Sequence, residues 1–477
     1  MRIVYFDLDC LRPDHLGVYG YHRDTSPNLD AIGRQGVIFS NCFISNAPCV
    51  PSRAALLSGR FGINNGVVGN LGAGAVFRDP GAGGRTPMVM RHLRTHGMKT
   101  VSFSCFADRH RAWWFGEGWE ELHTFTLKRG QEAADEVNAA ALPWVRAHGA
   151  EDNYLLHVHY WDIHSHYRIA PEWSDRFRDD PPPDWPDEAA IEANLAIYGP
   201  RTGLDLYTGY PDEDHSPTPV MPDGVRNRDE FKQLIDGYDG AIRYVDHHVG
   251  QILDALADHG VLDETAVIIS ADHGDSFGEH GQYMDHGLAN DPVNRVPMIV
   301  RWPGAASGAK SDGLIYGLDL GPTLCEMLGV PVPEGWDGES FAAAVRGDSF
   351  PGRDYLVFTQ GIYTYQRAVR TRQWLYIETL HPGLYPYDEP CWLHDVIADP
   401  YETRDLAPER PEEVERMRAL YAQWRAQQTG PDNLEAIAPE GPFAYYAPDR
   451  MIARLRRTGR ERQAEELIAR LRRYHPR

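Results

Sequence analysis

The sequence predicts an α/β protein: a large mixed, mostly parallel sheet flanked by helices, followed by a smaller α+β domain. Three observations predict it. Short apolar-rich runs that read as fully buried strands alternate with helical stretches. One long stretch carries apolar residues at helical spacing. After Pro351 the pattern changes to closely spaced β-rich runs.

The first strand is Arg2 to Asp9, emerging in Cys10-Leu11-Arg12-Pro13-Asp14-His15. Lys99 to Ser104 and Tyr154 to His159 read as further buried strands. Residues 171–228 interrupt the alternation with Pro181-Pro182-Pro183, Pro186, Pro200 and Pro211. A long irregular insertion in a compact domain is functional or disordered, and this one follows a His-rich strand end, so we read it as a substrate-pocket wall. From Phe231 through Leu234, Ile235, Tyr238, Ile242, Val245, Val249, Ile252 and Leu253 to Leu256 the spacing predicts one helix, closing near Gly260. Thr265 to Ala271 is another buried strand. Tyr355–Thr359, Arg367–Arg370 and Trp374–Ile377 then predict an antiparallel sheet, packed with a helix from Pro411 to Gln427. The expected organisation is a catalytic domain over 1–350, a small sheet-and-helix domain over 351–430 and a basic helical tail over 431–477, whose last part forms two short helices joined at Thr458-Gly459.

At 477 residues the chain is long enough for such a pair of domains. No run approaches the apolar length of a membrane span. The six cysteines (10, 42, 49, 105, 325 and 391) have neither disulfide nor zinc spacing. With Met1 leading directly into the first strand, this predicts a cytoplasmic protein without a signal peptide. The net charge of −22 repels anionic substrates at long range, so cations at the site must overcome it. Residues 450–477 hold ten Arg against three Glu, a net of +7 that leaves −29 on the rest. A basic tail can signal nucleic acid, but the acidic body is a nearer partner. We expect docking onto the body or a neighbouring subunit, with homo-oligomerisation open, and no nucleic-acid or membrane partner.

Cys49-Val50-Pro51-Ser52-Arg53, leading into Ala54-Ala55-Leu56-Leu57-Ser58-Gly59-Arg60, reads as a helix start, with Ser52 as a capping residue. That places Cys49 at the positive end of a helix dipole, a seat for an anion; the bland alternative is a buried structural Cys. Asp9 lies at the end of one strand and the Asp272-His273 pair at the end of another. Parallel strands converge on the crevice at their carboxyl ends, and hard oxygen ligands with an imidazole suit a divalent cation. A strand-end ligand is not a packing residue, so Asp272 is expected to be removable without cost to the fold.

These segments resemble the sulfatase family. The Cys49–Arg60 run is similar to its C-x-P-S-R signature; Asp9 with Leu11–Gly20 resembles its amino-terminal box, and Asp272-His273-Gly274 with Gly278-Glu279-His280-Gly281 its downstream metal box. Arg295–Gly304 resembles the strand that follows, and Asp399-Pro400-Tyr401-Glu402 with Asp405-Leu406 the carboxy-terminal D-P-x-E-x-x-N-L segment. The likeness spans about residues 1 to 430 in the family's order. It implies the alkaline-phosphatase-like fold. It also implies that a formylglycine-generating enzyme oxidises Cys49, whose hydrated aldehyde attacks sulfur, expels the alcohol and then eliminates sulfate. Asp9, Asp272, His273 and the modified Cys49 would hold the cation, Ca²⁺ by resemblance. The chain has Asp9-Cys10 where many members have two acidic residues, which makes Mn²⁺ a candidate too. Arg53, one turn beyond Cys49, would orient the diol.

His157-Val158-His159-Tyr160-Trp161-Asp162-Ile163-His164-Ser165-His166-Tyr167 resembles the family's D-P-H-x-P-Y turn. The match makes His164 the sulfate-contacting general acid, able to supply a proton near pH 7 without a large pKa shift, with His166 beside it. Arg109 or His110 replaces the Lys of the family's K-x-H region, and His286 stands where a sulfate-gripping Lys is common. Trp113 and Trp114 read as core rather than a sugar-stacking wall. The implied reaction is hydrolysis of a sulfate monoester, of a sulfated sugar in preference to a small aryl sulfate. Phosphonate monoester or phosphodiester hydrolysis on the same fold is the alternative, and a non-catalytic binding protein is disfavoured because a binder needs no oxidisable Cys at position 49.

Overall fold

The computed structural model describes residues 1–78, 86–209, 215–216 and 218–474; Pro211 and the last three residues of the tail therefore lie outside the described residues. The large sheet has nine strands. At its centre Arg2–Leu8 lies parallel between Tyr154–Tyr160 and Thr265–Ser270. Lys99–Phe103 and Glu121–His123 extend one side in parallel. On the other side Arg295–Arg301 enters antiparallel between Thr265–Ser270 and Val37–Phe43, which makes the sheet mixed. All seven residues of Arg2–Leu8 and all six of Thr265–Ser270 are buried, as strands covered on both faces must be.

The register prepares the site. Asp7 lies opposite His159 on one neighbour and Ser270 on the other, so Asp9 and Asp272, each two residues further on, leave the sheet at the same height. Period-two alternation puts Tyr5, Asp7 and Asp9 on one face, together with His157 and His159.

The long helix is Arg228–Asp258, started by Asn227, whose side chain accepts from the Glu230 amide at 2.9 Å. Its apolar stripe is buried from Phe231 to Leu256, and Gly260 turns the chain with a φ of +69°. Among the described residues of 171–228, the short α-helices Pro171–Ser174 and Glu188–Asn194 and the 3-10 turn Asp175–Phe177 lie in irregular backbone.

The second sheet runs Cys391–Asp395, Trp374–His381, Tyr365–Thr371, Tyr355–Gly361, and finishes on Asn46–Ala47. That last pairing is parallel, with Gln360 opposite Ala47, so the sheet's edge holds the segment leading straight into Cys49. Helix Pro411–Ala426 packs on this sheet through Val414 and Met417. The tail helices are Pro448–Arg457 and Glu461–Tyr474. They dock through Met451, Leu455, Ala464 and Leu467, and Asp205 of the insertion receives Arg454 and Arg460. Trp114 is buried as expected, but Trp113 is 67% exposed because the short helical turn holding both points them apart.

Candidate active site

Cys49 is the first residue of helix Cys49–Ser58, with Pro48 as its N-cap. The helix therefore starts earlier than the Pro-Ser pair suggests, and Ser52 caps nothing: its hydroxyl donates to the Asp272 carbonyl at 2.6 Å, tying the helix to the neighbouring strand end. The helix closes at Gly59, φ +65°, where a Cβ would stand 2.7 Å from the Trp336 ring. Cys49 is 2% exposed, and its Sγ lies 3.1 Å from His273 Nε2.

Around it, Asp9, Asp272, His273 and Cys49 place one potential ligand atom each within 4.8 Å of one another. His273 Nδ1 donates to the Gly274 carbonyl at 3.0 Å, which leaves Nε2 bare toward Cys49. The Asp272 Oδ1 atom accepts from the backbone amides of Cys10 at 3.2 Å and His273 at 3.0 Å. This donor set, two buried carboxylates and an imidazole with its lone pair free, fits a divalent cation.

Arg53 is the electrostatic hub. Its guanidinium donates to Asp7 Oδ2 at 2.8 Å and Oδ1 at 3.0 Å, pairs with Asp9 at 3.0 Å, and makes a short contact with Asp272. His159 Nε2, 2.8 Å from the same guanidinium, accepts, and its Nδ1 faces the Ser104 hydroxyl at 2.9 Å. Three buried carboxylates thus share one buried cation. Burial drives the carboxyls of Asp7 and Asp9 upward, but Arg53 overcomes it and holds both well below the usual range. At Asp272 burial prevails over Arg53, and its pKa is raised. Asp272 is thus part of the structural frame as well as a ligand candidate, which corrects the expectation that its loss leaves the fold untouched. Burial, with Asp9 and Asp272 beside it, pushes the Cys49 thiol far above its ordinary range, so the unmodified side chain is a neutral thiol.

Of the sequence-predicted histidines, His164 and His286 meet His273 here, whereas His166 lies against Tyr207. His286 and His273 have ring centroids 4.0 Å apart, and His164 and His286 6.0 Å. Burial alone would lower His286, but Asp285 and Asp275, the latter accepting from Nδ1 at 2.9 Å, raise it to about 9. His164 goes the other way: burial, with Arg109 adding to it, takes it well below 6.5. The surroundings thus push His164 and His286 in opposite directions, away from the unshifted imidazole expected at His164. His110 is likewise lowered by burial and Arg109; His166 is lowered to about 3 by burial with Arg201 and Arg168. The Nε of Arg109 and the Nε2 of His110 are buried without a hydrogen-bond partner among the described residues. Arg109 lies over the Trp161 ring at 5.0 Å.

Sequence reading missed Asp7, His159, Asp275, Asp285, Asn70 and Tyr445. The alternations Asp7-Leu8-Asp9 and His157-Val158-His159 were the available signal for the first two. Asn70 accepts from the Val50 amide at 3.0 Å, and Tyr445, just before the tail helices, hydrogen-bonds Asn70; nothing in the sequence announces that meeting.

A helix N-terminus carrying a Cys, a carboxylate–imidazole cation pocket and a ring of arginine and histidine define a hydrolase of anionic esters. The family description "Sulfatase" matches residues 2–330, and "N-sulphoglucosamine sulphohydrolase, C-terminal" matches 278–428. The chain belongs to the sulfatase family and is a sulfuric ester hydrolase. An arylsulfatase of Clostridium perfringens is 25% identical over 399 residues, covering 74% of this chain and 80% of that one. The N-acetylglucosamine-6-O-sulfatase of Bacteroides thetaiotaomicron is 23% identical over 461 residues, covering 85% and 82%. Among solved structures, an enzyme in complex with its substrate D-glucosamine-2-N,6-O-disulfate superposes with a TM-score of 0.72 at 19% identity, covering 89% of this chain and 97% of that one. The phosphonate monoester hydrolase of Agrobacterium radiobacter gives 0.70 at 20% identity, covering 89% and 95%.

Proposed function

We propose that this enzyme hydrolyses the sulfate monoester of a sulfated sugar, using formylglycine made from Cys49 and a divalent cation held by Asp9, Asp272 and His273. The observation that carries the proposal is the seat of Cys49: first residue of a helix, 3.1 Å from the bare nitrogen of His273, within the same ligand group as Asp9 and Asp272. The relatives' names point to sugar sulfates, N-acetylglucosamine-6-O-sulfate and a hexuronate-2-O-sulfate among them.

The bound cation, Ca²⁺ by family likeness or Mn²⁺ given the imidazole, supplies positive charge for the sulfate oxygens. The formylglycine hydrate supplies a nucleophilic oxygen and a second hydroxyl through which sulfate can leave. The chain's own residues do the rest. Arg53 fixes the height of Asp9 and Asp272 by bridging them, and Asp7 holds Arg53 in place. Arg109 and His286 add positive charge where a tetrahedral anion sits, and the buried, unpartnered nitrogens of Arg109 and His110 are donors in want of an acceptor. His286 carries a proton to give to the departing alkoxide, and His164, neutral, is placed to take one. Cys49, His164, His166 and His286 are each under a tenth exposed, which strengthens these charges by excluding water.

Phosphonate monoester hydrolysis is the second reading, favoured by the comparable fold match to the Agrobacterium enzyme. Matched sugar sulfate, aryl sulfate, phosphodiester and phosphonate substrates, assayed with one preparation, decide between them. The proposal expects the highest kcat/KM on a sugar sulfate, and preference for the phosphonate would overturn it. Maturation requires a formylglycine-generating enzyme. All six cysteines are unpaired and five are buried, the state a reducing compartment preserves, and on that ground we place the enzyme in the cytoplasm.

A further inference from the structure

A second cluster of metal-ligating side chains lies outside the active site, where the loop after the first cation pocket meets the second sheet. His280 comes from Glu279–Gly281, His394 from strand Cys391–Asp395, and Glu402 from the segment that follows. We propose that His280, His394 and Glu402 form a zinc site that clips the two parts of the molecule together. Their ligand atoms lie within 4.8 Å of one another.

Each ligand is prepared by its surroundings. His394, 1% exposed, has Nδ1 2.9 Å from the Arg404 carbonyl, which fixes the proton there and leaves Nε2 with its lone pair free. That Nε2 is buried and has no hydrogen-bond partner among the described residues, a condition that calls for a ligand. Glu402 spends Oε1 on the Asp291 amide at 2.9 Å and turns Oε2 to His280 Nε2 at 3.1 Å. Tetrahedral zinc with bonds of about 2.0–2.2 Å sets neighbouring ligand atoms about 3.3 Å apart, so the observed pair needs almost no movement. The His280 ring is stacked on Trp392 at 4.5 Å and 17°, which holds its plane. Its side chain is 10% exposed, the most accessible of the three.

Two imidazoles and one carboxylate select zinc over calcium. A zinc ion would replace the single His280–Glu402 hydrogen bond with bonds to all three side chains. Its structural consequence is plain, because His280 sits between the two strands of the ribbon Ser276–Phe277 and Tyr283–Asp285, which is flanked by Asp275 and His286 of the active site. The clip would hold that ribbon against Cys391–Asp395 without touching substrate.

The test is elemental analysis of the full chain, produced with zinc chloride in the medium and dialysed against metal-free buffer, for the parent, Glu402→Gln and His394→Phe. Glu402→Gln keeps the shape and the bond to the Asp291 amide. Zinc should fall by about one equivalent per chain in each variant while the metal of the first pocket stays. A parent without zinc, or variants with the parent's zinc content, overturns the proposal. Should a variant not fold, cobalt chloride added to the parent and to His273→Ala, whose first pocket has lost a ligand, gives the answer: tetrahedral bands of equal strength in both support the His–His–Glu site. Tetrahedral bands lost with His273, or absent from the parent, overturn it.

Discussion

Asp205→Asn should loosen the C-terminal helices from the body. Asp205 is fully buried; its Oδ1 accepts from Arg454 Nε at 2.5 Å and Arg460 Nη2 at 2.6 Å, and its Oδ2 from Arg460 Nη1 at 2.9 Å. Asparagine keeps the shape but removes the charge and replaces one acceptor with a donor. Stripping one partner from a buried charge pair costs about 3–5 kcal/mol. The Arg460 side chain is 13% exposed and partly solvated, so we take the lower end, ~3 kcal/mol. Met451, Leu455, Ala464 and Leu467, each at most 1% exposed, still anchor the helices. The tail therefore stays docked in most molecules but opens on the order of 100-fold more often. Hydrogen exchange of amides within 448–474 reads that opening directly, and tryptic nicking between the two helices should accelerate in parallel. Exchange and nicking equal to the parent's would refute the reasoning, since Asp205 would then carry no docking energy. A parent that retains nucleic acid only when the tail is present would show the tail's arginines serving a different partner.

Cys49→Ser and Cys49→Ala should lower turnover by several orders of magnitude, and the active parent should show residue 49 lighter by about 18 Da in peptide mass spectrometry, the change from –CH₂SH to –CHO; full activity with an unmodified Cys49 defeats the mechanism. Asp272→Ala should lose the first-pocket cation and activity and also about 3 kcal/mol of stability, because Arg53 and the amides of Cys10 and His273 lose their acceptor; a variant as stable as the parent, by urea midpoint, contradicts the hub role. Asp246, fully buried, is raised by burial to about 7, against about 3.9 unfolded. A carboxyl raised on folding is harmless below pH ~4 and increasingly destabilising up to pH ~7, by at most about 4 kcal/mol. Asp246→Asn should therefore gain on the parent as pH rises through that window, and parallel urea midpoints from pH 4.5 to 7.5 would dispose of this account.

Much of the site was written locally. Cys49 and Arg53 are one helical turn apart, and Asp9 and Asp272-His273 end apolar runs of strand length, so periodicity alone put them near one crevice. The fold was legible for the same reason: burial on both faces of a parallel strand leaves an unbroken apolar run, and the Arg228–Asp258 helix leaves a stripe. Ser52 misled because a Ser after a Pro signals a cap whether or not the helix has already begun, and only backbone geometry shows that it has.

The sequence by itself determined which chemistry is available, since side-chain type and short-range spacing are properties of the chain. Tertiary structure decided how that chemistry is charged and joined. Strand register, pairing Asp7 with His159 across the sheet, made Arg53 a hub for three carboxylates. Burial with unequal neighbours separated His286, beside Asp275 and Asp285, from His164, beside Arg109. Asp205 met the tail, and His280 met His394 and Glu402, only because the chain folds back across long separations. Desolvation and pairwise charge act through space at a few ångströms, and no pattern along the chain encodes those distances.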